Sequence, residues 1–133
     1  MWLRVDPRRS KPLYQQIVDA VKEAVAKKVL EEGERLPSVR ELAASMTLNP
    51  NTVAKAYQEL ERAGVIEVIR GRGTFVAALG AKKDHARRLA AMQELIKQVW
   101  IEAQHLQMSH DDLLSFVQHT IAEWDREKGR DGK

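Results

Sequence analysis

The chain has 133 residues, 44% of them hydrophobic, and its 22 Lys and Arg against 19 Asp and Glu give a net charge of +3. That apolar share excludes a wholly disordered chain, and the length suits one domain or a small domain with an appendage. With no cysteine, disulfides, thiolate metal sites and cysteine nucleophiles are excluded. No stretch approaches the roughly 18 apolar residues of a membrane span, and Met1-Trp2-Leu3-Arg4 does not begin a signal peptide. The expectation is a soluble, cytoplasmic protein with no membrane partner. Residues 1–80 carry 13 basic and 10 acidic side chains and residues 81–133 carry nine of each, so the whole positive excess lies in the first part. The two parts look built for different partners.

Leu3 and Val5 alternate with Trp2, Arg4 and Asp6, which predicts a short edge strand. Pro12 suits a first helical turn, and Leu13, Ile17, Val21, Ala24 and Val25 share one face at helical period, predicting a helix over about 12–28. Ser38 with Glu41 three residues later has the form of a capping box ahead of a short second helix. Thr47-Leu48-Asn49 breaks that run. Asn49 then supplies an N-cap and Pro50 a first-turn proline for a third helix, which runs to Ala63 and stops at Gly64.

Two helices joined by so short a turn match a helix-turn-helix. Val65-Ile66-Glu67-Val68-Ile69 and Thr74-Phe75-Val76 flank Arg70-Gly71-Arg72-Gly73 as a hairpin, and a hairpin in that place is the layout of a winged helix. Farther on, Leu89, Met92, Ile96, Val99, Ala103 and Leu106 follow heptad spacing. Ser109 and Asp112 mark a new helix start, Leu113, Val117, Ile121 and Trp124 stripe a final helix, and the tail from Lys128 frays. The expected fold is mainly α with a small β-hairpin wing. A winged helix-turn-helix DNA-binding domain spans residues 1–78, and a two-helix C-terminal dimerisation extension spans 79–133.

Pro12-Leu13-Tyr14, Gln16-Ile17, Leu36-Pro37-Ser38-Val39-Arg40, Leu42-Ala43, Asn51-Thr52-Val53, Ala56-Tyr57, Leu60-Glu61, Gly64 and Gly71-Arg72-Gly73-Thr74-Phe75-Val76 stand in the order and spacing of the GntR family DNA-binding domain. The resemblance covers roughly residues 10–77. The tail of about fifty residues is similar to the dimerisation extension of the YtrA-type subfamily, and is too short for the larger effector or aminotransferase-like domains of other members. The resemblance implies a bacterial regulator, a repressor acting on its own operon, often one that carries an ABC transporter. The wider family commonly has arginines at the positions of Pro50 and Ala54, so base contacts made by those arginines do not carry over.

A recognition helix meets base edges with its N-terminal residues, which singles out Asn51, Thr52 and Lys55. Asn bonds adenine, Thr reaches either base pair, and Lys reaches guanine or phosphate. Asn49 is either a pure cap or a further contact. The resemblance makes Arg40 a DNA-facing residue, as a phosphate clamp or a guanine reader. Ser38, if it caps the second helix, presents N–H groups to a phosphate. Tyr57 either donates its hydroxyl to phosphate or packs into the core. Gly71 and Gly73 let the wing turn tightly, Arg72 between them suits a narrow minor groove, and Arg70 and Thr74 are candidate phosphate contacts. A phosphate cradle of a nucleotide-binding enzyme needs a following helix or a Lys-Ser/Thr pair. Thr-Phe-Val follows instead, so no enzyme is expected.

His85, His105, His110 and His119 show no ligand spacing, and Asp111-Asp112 suits a helix start. Neither metal nor cofactor is expected. The heptad stripe either folds back on the winged domain or pairs two subunits, with Trp100 and Trp124 as anchors. The expected partners are a double-stranded, palindromic DNA operator and a second copy of the chain. The alternative is a winged helix used for protein–protein or non-specific nucleoid binding. So small a tail leaves the subunit interface as the place for any small-molecule effector, whose identity is unknown.

Overall fold

The computed structural model describes residues 3–78 and 85–131. The expectations for Trp2, for Leu79 and Gly80, and for the last two residues lie outside them. The elements run α1 (Leu13–Ala26), β1 (Arg35–Leu36), α2 (Val39–Met46), α3 (Pro50–Arg62), β2 (Ile66–Ile69), β3 (Gly73–Val76), α4 (His85–His105) and α5 (His110–Asp131). They fall into two compact units, Met1–Ala81 and Lys82–Lys133.

In the first unit α3 packs against both α1 and α2. The contacting stripes are Ile17, Val18, Val21 and Ala24 on α1, Leu42 and Ala43 on α2, and Val53, Ala56, Tyr57 and Leu60 on α3. Leu3, Leu30, Leu36, Ile66 and Val76 close the core around them. Each fully buried Leu, Ile or Val stabilises the unit by about 1.5–3 kcal/mol relative to exposure.

The helix starts follow their capping chemistry. Ser38 Oγ accepts from the Glu41 N–H at 3.1 Å and Glu41 Oε1 accepts from the Ser38 N–H at 3.0 Å, a complete capping box. Asn49 Oδ1 accepts from the Asn51 N–H at 2.8 Å, with Pro50 in the first turn of α3. The ends share a pattern that sequence shows only once. Gly64, at φ +76°, closes α3 while the Val65 N–H donates to the Leu60 carbonyl at 2.9 Å, a Schellman motif. Lys28, Thr47 and Gln107 take the same left-handed position after α1, α2 and α4, with φ of 61°, 54° and 57°. The matching bonds run from Val29 to Ala24, Leu48 to Ala43 and Met108 to Ala103.

The sequence alternation predicts an edge strand near the N-terminus, but residues 3–6 form none. The edge of β3 is taken by the two-residue β1, which pairs Arg35 with Phe75 and Leu36 with Thr74. The N-terminal segment is instead held by the buried Gln16. Its amide nitrogen donates to the Asp6 and Lys11 carbonyls at 2.9 and 2.8 Å, and its oxygen accepts from the Asp6 N–H at 2.8 Å. Strand β2 pairs with β3 from Ile66 opposite Val76 to Ile69 opposite Gly73, giving an antiparallel sheet in the order β1-β3-β2.

In the second unit, α4 and α5 are joined by a turn over residues 106–109. Ser109 and Asp112 form a second reciprocal cap at 3.0 and 3.1 Å, and the Trp100 and His110 rings meet edge to face across the turn at 5.7 Å. Helix α5 continues through Asp131 rather than fraying from Lys128.

Thr47 is β-branched and exposed in a left-handed conformation, which strains an L-residue by roughly 1–2 kcal/mol. Thr47→Gly relieves that strain against a smaller loss through the unfolded chain. Its unfolding free energy, from urea titration, should rise by up to about 1 kcal/mol; an unchanged or lower midpoint would show that the turn is not strained.

Candidate nucleic-acid interface

Because Val53, Ala56, Tyr57 and Leu60 commit one side of α3 to the core, the side chains between them are turned outward. Asn51 and Lys55 are exposed and Thr52 is half-buried. Asn49 spends its carbonyl oxygen on the cap, which leaves only its amide N–H groups for another partner. At the start of α3 an open recess of about 440 Å³ is lined by Asn51, Thr52 and Lys55, and by Pro12, Leu13 and Tyr14 from the start of α1. Lys55 Nζ stands 4.0 Å from the centroid of the Tyr14 ring.

Helix α2 presents Arg40 in its first turn, exposed and with no side-chain partner among the described residues. Ser38 is engaged by the capping box, and its backbone N–H first, then its side-chain hydroxyl, hold the Glu41 carboxyl below its usual pKa. A carboxylate held ionised there already answers the helix dipole. Any phosphate at this end would have to share the N–H groups with Glu41.

The wing turns on three residues. The Arg72 N–H donates to the Ile69 carbonyl at 2.9 Å, and Gly71 sits at φ +80° in the third position of that turn, where a side chain is disfavoured. Arg70 and Arg72 are exposed at the tip and, among the described residues, unpaired. Gly73, at φ +130°, lies under the side chain of Arg35, so close that a Cβ at Gly73 would stand 3.1 Å from Arg35 Nε. Arg35 is thus a third cation at the wing, beside Arg70 and Arg72. No sequence signal marked it, because its place depends on the two-residue strand β1.

Two candidates are corrected. Tyr57 is only 6% exposed, and its hydroxyl donates to the Pro37 carbonyl at 2.7 Å. It is a core residue that ties the start of α2 to α3, not a phosphate donor, and burial together with the Glu41 charge pushes its pKa up to about 12. Thr74 lies on the inward face of the central strand with Val76. Its neighbours Leu36 and Val68 flank it on both sides, so most of its side chain is committed to the sheet and not to the surface.

In the second unit, Leu89, Met92, Ile96, Val99 and Trp100 are exposed on α4, Leu106 in the turn after it, and Val117 and Ile121 on α5. Leu113 and Trp124 are half-buried. Ala103 departs from the expected seam, being 2% exposed at the turn. The heptad reading also missed Leu95 at 68% and Phe116 at 61% exposure, together with Ile101 and Leu114. The uncovered apolar surface is therefore wider than one seam. Among the described residues no group of three or more His, Asp or Glu is placed to hold a metal ion, and no helix is long and apolar enough to cross a membrane.

A capped helix pair, a three-residue turn and a two-stranded wing define a winged helix-turn-helix DNA-binding regulator. Residues 13–76 match the family described as bacterial regulatory proteins, gntR family. The chain belongs to that family. It is 39% identical over 121 residues to the HTH-type transcriptional repressor YtrA of Bacillus subtilis (strain 168), an alignment that spans 91% of this chain and 93% of that one. A transcriptional antiterminator from Listeria monocytogenes EGD-e has a similar structure, with a TM-score of 0.79 at 35% identity over 92% of this chain and 91% of the other. YtrA from Sulfolobus acidocaldarius, a GntR-family transcription factor, gives a TM-score of 0.58 at 29% identity over 90% and 97%. The likeness to YtrA regulators thus runs through the helical unit as well as the winged one.

Tyr57→Phe removes the bond to the Pro37 carbonyl and should lower the unfolding free energy by about 1–2 kcal/mol. DNA affinity of the folded variant should be unchanged; a fall in affinity without loss of stability would return the hydroxyl to the DNA surface.

Proposed function

We propose that this regulator is a repressor that binds a palindromic operator as a homodimer, with Asn51, Thr52 and Lys55 reading bases and Arg72 entering the minor groove. Arg40, Arg35 and Arg70 hold the phosphate backbone, Ser38 and the free amide of Asn49 lie beside them, and Gly71 and Gly73 shape the wing. The observation that carries the reading is α3 itself: one face is buried, while near the start of the helix the other presents the exposed Asn51 and Lys55 and the half-buried Thr52. Base readout in the major groove calls for such groups.

The dimer rests on the second unit. Apolar side chains on α4 and α5 stand exposed among the chain's described residues, and patches of this kind mark association surfaces. Two-fold pairing of two winged units would make each half-site reinforce the other. Residues 1–78 act as the DNA-binding domain and 79–133 as the dimerisation extension, in the cytoplasm. The similarity to YtrA repressors supports the repressor role, and the subfamily resemblance supports an operon carrying an ABC transporter as the target.

Operator fragments selected from a random pool should be palindromic and should shift the protein on a gel far more strongly than scrambled DNA; equal affinity for both would sink the operator reading. In the full chain, Ile96→Glu combined with Val117→Glu should sediment as a monomer and bind the operator on the order of 100-fold more weakly, because the second half-site loses its effective concentration. A dimer of undiminished affinity would place the subunit contact elsewhere. Arg72→Ala should weaken binding most on operators with A/T-rich flanks, and equal loss on G/C-rich flanks would mean a phosphate contact instead.

A further inference from the structure

The recess at the start of α3 joins two elements whose DNA roles the family reading keeps apart. Tyr14 belongs to α1, is half-buried and packs against the core, so its ring is a fixed surface. Lys55 belongs to α3 and is exposed. Its ammonium lies over the face of that ring at 4.0 Å, within the range of a cation–π contact. Among the described residues Lys55 has no carboxylate partner, and the Tyr14 hydroxyl makes no hydrogen bond. The two other polar side chains at the recess, Asn51 and Thr52, are neutral.

A ring holds a cation differently from a carboxylate. The quadrupole attracts the ammonium from one side without cancelling its charge, and leaves donors on the other side free. We infer that Tyr14 is a positioning residue for Lys55, fixing the ammonium beside Asn51 and Thr52 before DNA arrives, so that Lys55 meets an acceptor on the operator without first losing rotamer freedom. This rests on the operator-binding reading above. It adds a residue of α1, outside the helix-turn-helix, to the determinants of binding.

The ring contact is testable without DNA. In the free full-length protein, the Lys55 ε-methylene protons should show an upfield ring-current shift by NMR, kept in Tyr14→Phe and lost in Tyr14→Leu. On the selected operator, Tyr14→Leu should weaken binding about two- to fivefold, Tyr14→Phe should match the parent, and Tyr14→Leu should add nothing in a Lys55→Met background. Absence of the shift in the parent protein would overturn the inference whatever the variants do. So would equal losses in both lysine backgrounds, which would mean Tyr14 acts alone, or a loss in Tyr14→Phe, which would make the hydroxyl the contact. Should the parent show no operator preference, the proposed function fails while the NMR result still decides the ring contact.

Discussion

The inner stripe of α3 is the constraint on which the first unit rests. Val53, Ala56 and Leu60 are wholly buried against α1 and α2, and a one-methylene change there is felt because such cores are close-packed. This fixes rotation about the helix axis, so Asn51 and Lys55 have no choice of direction. A helix of 13 residues whose outer face is polar has little stability alone in water. Burial on one side therefore makes it possible to leave the other side free for recognition.

The second helix is tied into the same arrangement from above. The capping box sets where α2 begins, and the Tyr57 hydroxyl grips the Pro37 carbonyl just before it. Arg40 is thereby placed relative to α3 by one covalent turn and one side-chain bond. At the other end of α1, Gln16 satisfies three backbone groups at once. A buried amide with its hydrogen bonds filled is an anchor, whereas one left empty would destabilise the fold.

How much of this could be read from residues alone depended on how local the signal was. Ser38 with Glu41, Asn49 with Pro50, and Gly64 each act within one helical turn, and each stands where its chemistry placed it. The non-glycine ends at Lys28, Thr47 and Gln107 could not be seen, since their left-handed backbone follows from the packing of the next residue and not from their own preference. Strand β1 is two residues long and exists only because β3 offers an edge, so Arg35 went unnoticed with it. Sequence leaves Tyr57 open between core and phosphate, and offers Thr74 as a phosphate contact, for the same reason: a polar group on an amphipathic element shows its type in sequence but not its side. The heptad pattern identified an apolar helix yet understated how much of α4 and α5 is uncovered, because periodicity marks which residues share a face and not which of them a neighbour covers.

The wing also works as a measure of length. Its strands pair from Ile66 opposite Val76, in the core, to Ile69 opposite Gly73, three steps of about 3.3 Å each, so the tip stands roughly 10 Å beyond its anchored base. A pair of residues added to each strand would carry Arg72 about 7 Å farther, while a single residue added to one strand would turn its outward side chains inward. Reach and facing are therefore coupled in whole pleats, and wings of this kind can change their depth only in steps.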